Sequence, residues 1–208
     1  MLKALTSEKI RILKIWQNRI FQDLSISEIM KLSNRKTKTW VFNTLKELVK
    51  NKILFSERKG NADLYSLDLS NPVTPQLLQY LEAEENSNFP LLDVMIEIIN
   101  NVSLKNYCLI VFGSYSDNTQ KKNSDLDMCF IIENKKDEKI ILPFMNHIKL
   151  NHPIEIDEHY ITFSDFIEML LIGEENLGKQ IFRNHRIFYN ADIYYQLIKK
   201  AHDNGFKS

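Results

Sequence analysis

Two carboxylates one residue apart, Asp125 and Asp127, follow a Gly113-Ser114 pair after a ten-residue spacer, Tyr115 to Ser124. Strand alternation would put both carboxylates on one face and Leu126 and Met128 on the other. Carboxylates that close repel, and in isolation one tends to keep its proton. A divalent cation removes the conflict, and Mg²⁺ prefers a few carboxylates together with substrate phosphates. Gly113 closes the apolar run Tyr107–Phe112. A glycine at a strand end lets backbone N–H groups approach a phosphate closely, and Ser114 adds a hydroxyl donor. These residue types at this spacing suit phosphate held by backbone, metal held by carboxylates, and in-line displacement at phosphorus.

The elements that must position these residues can be read from periodicity. The run 107–112 has the character of a fully buried strand, and 125–132 is a second strand. Residues 153–162 alternate well enough for a third, with Glu155, Asp157 and His159 on one face. Helices are expected at about 139–150, 164–171, 174–183 and 191–202, with a short strand at 186–189. Interleaved helices and strands make this half α/β or α+β. Cys108 and Cys129 lie inside apolar runs and read as buried free thiols. Lys121 and Lys122 read as ordinary loop lysines, and the histidines other than His159 have no evident partner.

Upstream, a helix is expected over about 7–19, capped by Thr6 or Ser7 and carrying Ile10, Leu13, Ile15 and Trp16. A short second helix would be capped by Ser25 or Ser27, with Ile29, Met30 and Leu32 turned inward. A third, at about 36–51, carries Val41, Leu45, Leu48 and Val49 on one face. Strand-like segments 53–58 and 63–67 flank a turn at Lys59-Gly60-Asn61. Beyond Asn71-Pro72, a helix from Thr74 to about Ala83 leads into a polar loop at 84–88, and Pro90 suits the first turn of the next helix.

The net charge of zero conceals an asymmetry: residues 1–70 hold 14 Lys and Arg against 7 Asp and Glu, leaving the remainder acidic. A basic first part beside an acidic second part implies that only the first meets a polyanion. No apolar run approaches a membrane span and no secretory signal is evident, so a cytoplasmic protein is expected.

Residues 5–70 resemble a winged helix-turn-helix domain in element order, amphipathic third helix and basic hairpin tip. The resemblance implies duplex DNA as partner, with Lys36, Lys38, Thr39, Asn43 and Lys46 on the third helix and Arg58 and Lys59 at the hairpin as contacts. It implies a homodimer joined through residues 1–20 or 72–100, and leaves Trp40 either on the DNA side or in the core. Gly-Ser, the spacer and Asp-x-Asp resemble the nucleotidyltransferase superfamily that includes DNA polymerase beta, in particular its minimal, antitoxin-type branch.

That second resemblance implies transfer of a nucleoside monophosphate, most simply AMP from ATP, to a protein or nucleic-acid hydroxyl. Asp125 and Asp127 would hold Mg²⁺ or Mn²⁺, and Gly113 and Ser114 the nucleotide. Asp157 would be the third catalytic and metal-binding carboxylate, although the spacing usual in small members lands on His159. The acceptor can then be a protein such as a toxin, with the first domain repressing its own operon. The alternative is a DNA-binding regulator whose degenerate transferase fold senses nucleotide or dimerises. The expected fold is α+β. A winged helix-turn-helix domain (1–72) is joined by a linker helix and loop (73–89) to a nucleotidyltransferase-like α/β domain (90–208) with a small mixed sheet and flanking helices.

Overall fold

The computed structural model describes residues 6–207, which fall into two compact units, the first ending at Leu81 and the second running from Glu82 to Lys207. Residues 1–5, part of one expected dimer contact, lie outside the described residues, as does the side chain of Ser7.

The first unit contains α1 (Ser7–Leu13), β1 (Leu24–Ser25), α2 (Ile26–Leu32), α3 (Lys38–Lys50), β2 (Leu54–Lys59) and β3 (Ala62–Leu67). The expected helix over 7–19 is shorter, because the chain tightens into a 3₁₀ turn at Lys14–Trp16. This turn buries the adjacent pair Ile15 and Trp16 below the pair Ile12 and Leu13, and Trp16 Nε1 donates to Gln22 O at 3.1 Å. Ser25, not Ser27, caps α2, in a reciprocal box in which the Ser25 N–H donates to Glu28 Oε2 at 2.8 Å. Such a cap contributes about 1 kcal/mol. Leu32 does not turn inward: it is 42% exposed at the last position of a seven-residue helix, past the end of the core that covers Ile29.

Val41, Leu45 and Leu48 of α3 are fully buried, as their spacing requires. The three strands form an antiparallel sheet in the order β1-β3-β2. The β2–β3 hairpin closes at Lys59↔Ala62, with Gly60 at φ +60° supplying the left-handed turn residue. The two-residue β1 was too short to leave a periodic signal.

The helix α4 (Val73–Asn86) runs three residues beyond its expected end, and its last turn belongs to the second unit. There follow α5 (Leu92–Asn101), β4 (Tyr107–Val111), α6 (Gly113–Ser116), β5 (Leu126–Ile132), α7 (Glu138–Asn151) and β6 (Ile156–Thr162). The chain ends through α8 (Phe163–Leu171), α9 (Leu177–Arg183), β7 (Arg186–Tyr189) and α10 (Ala191–Asp203). The sheet order is β6-β5-β4-β7; β4 runs antiparallel to both β5 and β7, and β5 is parallel to β6 through the α7 crossover.

Both sheet faces are covered, which explains why the strands are apolar at nearly every position. Leu109, Val111, Leu126, Met128 and Phe130 pack in one core with Met95 and Ile98 of α5 and Ile141 and Met145 of α7. Helices α8 and α10 lie against the opposite face, where Cys108 and Cys129 are fully buried free thiols. The α5 helix starts two residues after Pro90, and β6 starts at Ile156, three residues after Pro153. The chain at Glu155 still approaches the sheet, since its carbonyl accepts from Leu126 N at 2.8 Å.

Candidate nucleotide site

The site is built where β4 ends. Phe112 N donates to the Asp127 carbonyl at 3.1 Å, so the chain is still tied to β5 one residue before the glycine. Gly113 then turns at φ +65°, and the sequence expectation of a bare spacer loop gives way to the single helical turn α6. A Cβ built on Gly113 would stand 2.2 Å from Asp127 Oδ2. The carboxylate is thus set directly against the glycine, and both the dihedral and the contact demand that residue.

The turn after it is held by its own hydroxyls and amides. Ser116 Oγ donates to Gly113 O at 2.7 Å, and Thr119 N donates to Ser114 O at 2.9 Å. From the far side comes Arg186, the first residue of β7 and 7% exposed. Its Nε donates to Ser116 O at 3.1 Å, one terminal nitrogen to Asn118 Oδ1 at 3.1 Å and the other to Glu85 O at 3.4 Å. Its guanidinium also lies 5.8 Å from the Phe89 ring centroid. The Gly-Ser turn is therefore pinned by a buried cation that satisfies carbonyls a four-residue helix cannot satisfy itself.

Parallel pairing brings the acidic residues together. The register sets Asp127 beside Asp157, and Cys129 beside His159. Asp125 stands one residue before β5 and is exposed, Asp127 is half-buried and Asp157 is exposed. His159 Nε2 lies 3.3 Å from Asp157 Oδ2, and its ring packs near Phe112 with centroids 5.7 Å apart. Burial, then the charges of Asp157 and Asp125, push the Asp127 carboxyl above the ordinary aspartate range, and His159 partly offsets this. Glu155 shares the expected face but sits before the strand.

The carboxylate donors fit a hard divalent cation, because burial and the charges of Asp157 and Asp125 act on Asp127 and raise the cost of its ionised form, a cost that a bound positive charge would offset. Among the described residues, no three His, Cys, Asp or Glu form a ready cage. Mg²⁺ takes only one or two carboxylates and completes its shell with water and phosphate oxygens.

Two cavities meet at Asp125, Ile154 and Glu155. The larger, about 620 Å³, is walled by Leu91, Val94 and Tyr115, with Lys122 and His152 on its polar side. The smaller, about 390 Å³, reaches Asp157 and Lys149. Lys149, ion-paired with Glu158, and Arg186 were both missed in the sequence. Nothing marked Lys149. An arginine opening an otherwise apolar strand was a signal for Arg186.

On the first unit, Lys36, Lys38, Thr39, Asn43 and Lys46 are all exposed; Lys36 precedes α3, Lys38 is its first residue, and Thr39, Asn43 and Lys46 lie on the side opposite its buried stripe. Trp40 is half-buried, with the Arg35 guanidinium 4.9 Å from its ring centroid. At the hairpin, Arg58 pairs with Asp63 at 3.1 Å, and Lys59 pairs with Asp23 at 2.8 Å and Glu57 at 3.3 Å.

The decisive comparison concerns the second unit. Residues 96–194 match the family described as Polymerase beta, Nucleotidyltransferase. This span of the chain has a nucleotidyltransferase fold, and the match contains Gly113, Ser114, Asp125, Asp127 and Asp157. A solved structure described as the crystal structure of the toxin-antitoxin with AMP-PNP has a TM-score of 0.39 and 16% identity, over 54% of this chain and 84% of that one. No curated protein matches. Among the described residues, no helix is long and apolar enough to cross a membrane.

Proposed function

We propose that the protein is a metal-dependent nucleotidyltransferase that moves a nucleoside monophosphate, AMP from ATP in the simplest case, onto the hydroxyl of a protein or nucleic acid. The observation that carries this reading is the contact of Gly113 with Asp127 beside the Asp127–Asp157 pairing. A fold alone does not establish chemistry, but this packing joins a phosphate-approach glycine to a carboxylate group within one site.

In this reading Asp125, Asp127 and Asp157 would share Mg²⁺ or Mn²⁺ ions between them, no ion needing all three, and the metal would supply neutralising charge and polarise a phosphoryl oxygen. The Gly113 backbone and the Ser114 hydroxyl hold the outer phosphates. The Asp157 carboxylate takes the proton of the acceptor hydroxyl. The acceptor oxygen bonds to the α-phosphorus, the bond to the β-phosphate oxygen breaks, and pyrophosphate leaves. Asp157 suits the third position better than His159, because the register puts Asp157 beside Asp127 and sets His159 two residues farther along.

For the first unit we propose a winged helix-turn-helix that binds duplex DNA as a homodimer. Three helices followed by a hairpin, with β1 completing a three-stranded sheet, support it, as does the exposed polar face of α3. An antitoxin whose first unit represses its own operon and whose acceptor is a toxin rests on the sequence resemblance. A DNA-binding regulator with a degenerate transferase site is favoured by a different observation, the engagement of Asp157 by His159.

Calorimetric titration of a non-hydrolysable ATP analogue with Mg²⁺ separates the two readings. Micromolar binding, about −8 kcal/mol, that is lost in Asp125→Asn/Asp127→Asn supports the enzyme. Folded protein that binds none of the four nucleoside triphosphates leaves the regulator.

A further inference from the structure

We propose that the free edge of β6 is the acceptor-binding surface of the transferase, and that its occupant is an extended protein segment carrying a serine or threonine. This rests on the transferase reading and names its acceptor. Strand β6 ends the sheet order β6-β5-β4-β7, with β5 on one side and no strand paired with the other among the described residues. The bond from Leu126 N to Glu155 O turns the backbone groups of Glu155 toward β5, and alternation turns those of Asp157 and His159 the same way. The N–H and C=O of Ile156, Glu158 and Tyr160 therefore point outward, in the pattern that an added strand pairs with.

The two ends of the sheet are treated differently. At β7 the Ile187 carbonyl accepts from Asn86 Nδ2 at 2.7 Å, and the Ile187 amide donates to Glu82 Oε2 at 3.5 Å. Side chains close that end. The edge of β6 instead starts inside the candidate site, since Asp157 is the second residue of the strand and stands beside Asp127 in the register. The smaller cavity, about 390 Å³, follows the consecutive residues Ile154, Glu155, Ile156 and Asp157 and reaches Asp125 and Lys149. Edge strands are usually covered or made unwelcoming to another strand, so an open edge that leads into a site is suited to receive one.

Chemistry favours a polypeptide over a nucleic acid on this edge. Alternating amides and carbonyls match another peptide backbone and find no such repeat in a sugar–phosphate chain. The cavity beside them is lined by the exposed residues Asp125, Glu155 and Asp157, and its cation, Lys149, is ion-paired with Glu158. Glu155 lies outside the metal-binding set, so its charge would still face an incoming phosphate.

Strand spacing sets the reach. A guest strand lies about 4.8 Å from β6. Its residue opposite Asp157 would put a Ser or Thr hydroxyl, one bond beyond Cβ, close to that carboxylate on the face Asp157 shares with Asp127. A tyrosine hydroxyl at the same position would extend past it. The hydroxyl proton passes to Asp157, the oxygen bonds to the α-phosphorus, the bond to the β-phosphate oxygen breaks, and pyrophosphate leaves.

The test uses the full chain, Mg²⁺, ATP labelled at the α-phosphate, and a pool of randomised unstructured peptides with a central serine or threonine. Label should enter the peptides. In the best-labelled peptide, N-methylation of successive backbone amides should cut labelling at least about tenfold at every second position and spare those between. The same peptide at saturation should slow amide exchange at Glu158 and Tyr160. Equal tolerance of N-methyl groups at all positions would overturn strand pairing, and label entering only a central-tyrosine pool would overturn the reach argument. Label entering only a single-stranded RNA pool would make the acceptor a nucleic acid. If the ATP analogue binds and the peptides stay unlabelled, the β6 acceptor surface is overturned while the nucleotide site stands. If no nucleoside triphosphate binds, the transferase reading is overturned with it.

Discussion

Gly113 and Asp127 are packed so closely that a single methyl group on the glycine would stand 2.2 Å from the aspartate Oδ2. With φ at +65°, Gly113→Ala meets backbone strain and collision together. The variant should fold with a lowered thermal midpoint and lose binding of the Mg²⁺–ATP analogue, because Asp127 must swing away. Calorimetry beside a melting curve checks it, and micromolar binding retained in Gly113→Ala would contradict the proposed site.

Asp127 carries a cost that the proposed metal-binding role would account for. Its carboxyl is held above the ordinary aspartate range, so the folded state takes up more protons than the unfolded chain once pH exceeds about 3.8. Stability from this group falls as pH rises through the folded value, and the penalty is complete above it. Asp127→Asn should therefore raise the metal-free melting midpoint while abolishing nucleotide binding. Each kcal/mol relieved shifts the midpoint by about 2–4 °C, and a lowered midpoint with binding intact would refute this account.

Arg186 holds Ser116, Asn118 and Glu85 from inside the protein. Hydrogen bonds from a charged group contribute about 1.5–3 kcal/mol each when a partner would otherwise stay buried and unpaired. Arg186→Met should lower the melting midpoint by several degrees and weaken nucleotide binding, with partial rescue by Lys. Equal nucleotide affinity in the Met variant would show that the Gly-Ser turn keeps its shape unaided.

His185 is buried, with Nδ1 2.8 Å from Ile181 O and 3.4 Å from the Tyr194 hydroxyl. Burial lowers its proton affinity below the ordinary value of 6.5, despite the opposing charges of Glu82 and Glu85. The unfolded chain then binds more protons, so this contribution is complete above about pH 6.5 and is lost as pH falls toward the folded value. His185→Gln should flatten the decline in melting midpoint between about pH 7 and 5. An identical decline would place the acid sensitivity elsewhere.

The ion pairs at the hairpin predict unequal roles for two lysines. Lys46 is exposed on α3, whereas Lys59 already faces Asp23 and Glu57. Lys46→Ala should reduce the salt slope of duplex binding by about 1, and Lys59→Ala should change affinity less than about threefold, since its charge is already compensated. The reverse order, measured by anisotropy, would move the contact from α3 to the hairpin.

The core of the second unit was legible because buried strands are continuous apolar runs, and 107–112 and 125–132 were recognisable as such. Asp125 and Asp127 were legible because their spacing is local. Asp157 was named as the third carboxylate beside the alternative His159, but its place next to Asp127 was not legible, since it comes from the parallel register of β5 and β6. Arg186 escaped for the same reason: its partners lie some 70 and 100 residues away in the chain. The helical turn α6 went unseen because four residues leave no period, and the inward assignment of Leu32 failed because periodicity does not say where a core ends.

The last turn of α4 has a consequence for how the chain can be divided. Strand β7 borders the sheet, and its Ile187 would offer an open donor and acceptor there. Instead Asn86 Nδ2 donates to Ile187 O at 2.7 Å, and Ile187 N donates to Glu82 Oε2 at 3.5 Å. A side-chain amide and a carboxylate thus stand in for a neighbouring strand. The Tyr195 hydroxyl fastens Glu82 in place at 2.8 Å. A fragment of the second unit begun at Pro90 would carry an uncovered strand edge, the kind of surface that recruits other chains and aggregates. Begun before Glu82, it would keep its own guard against self-assembly.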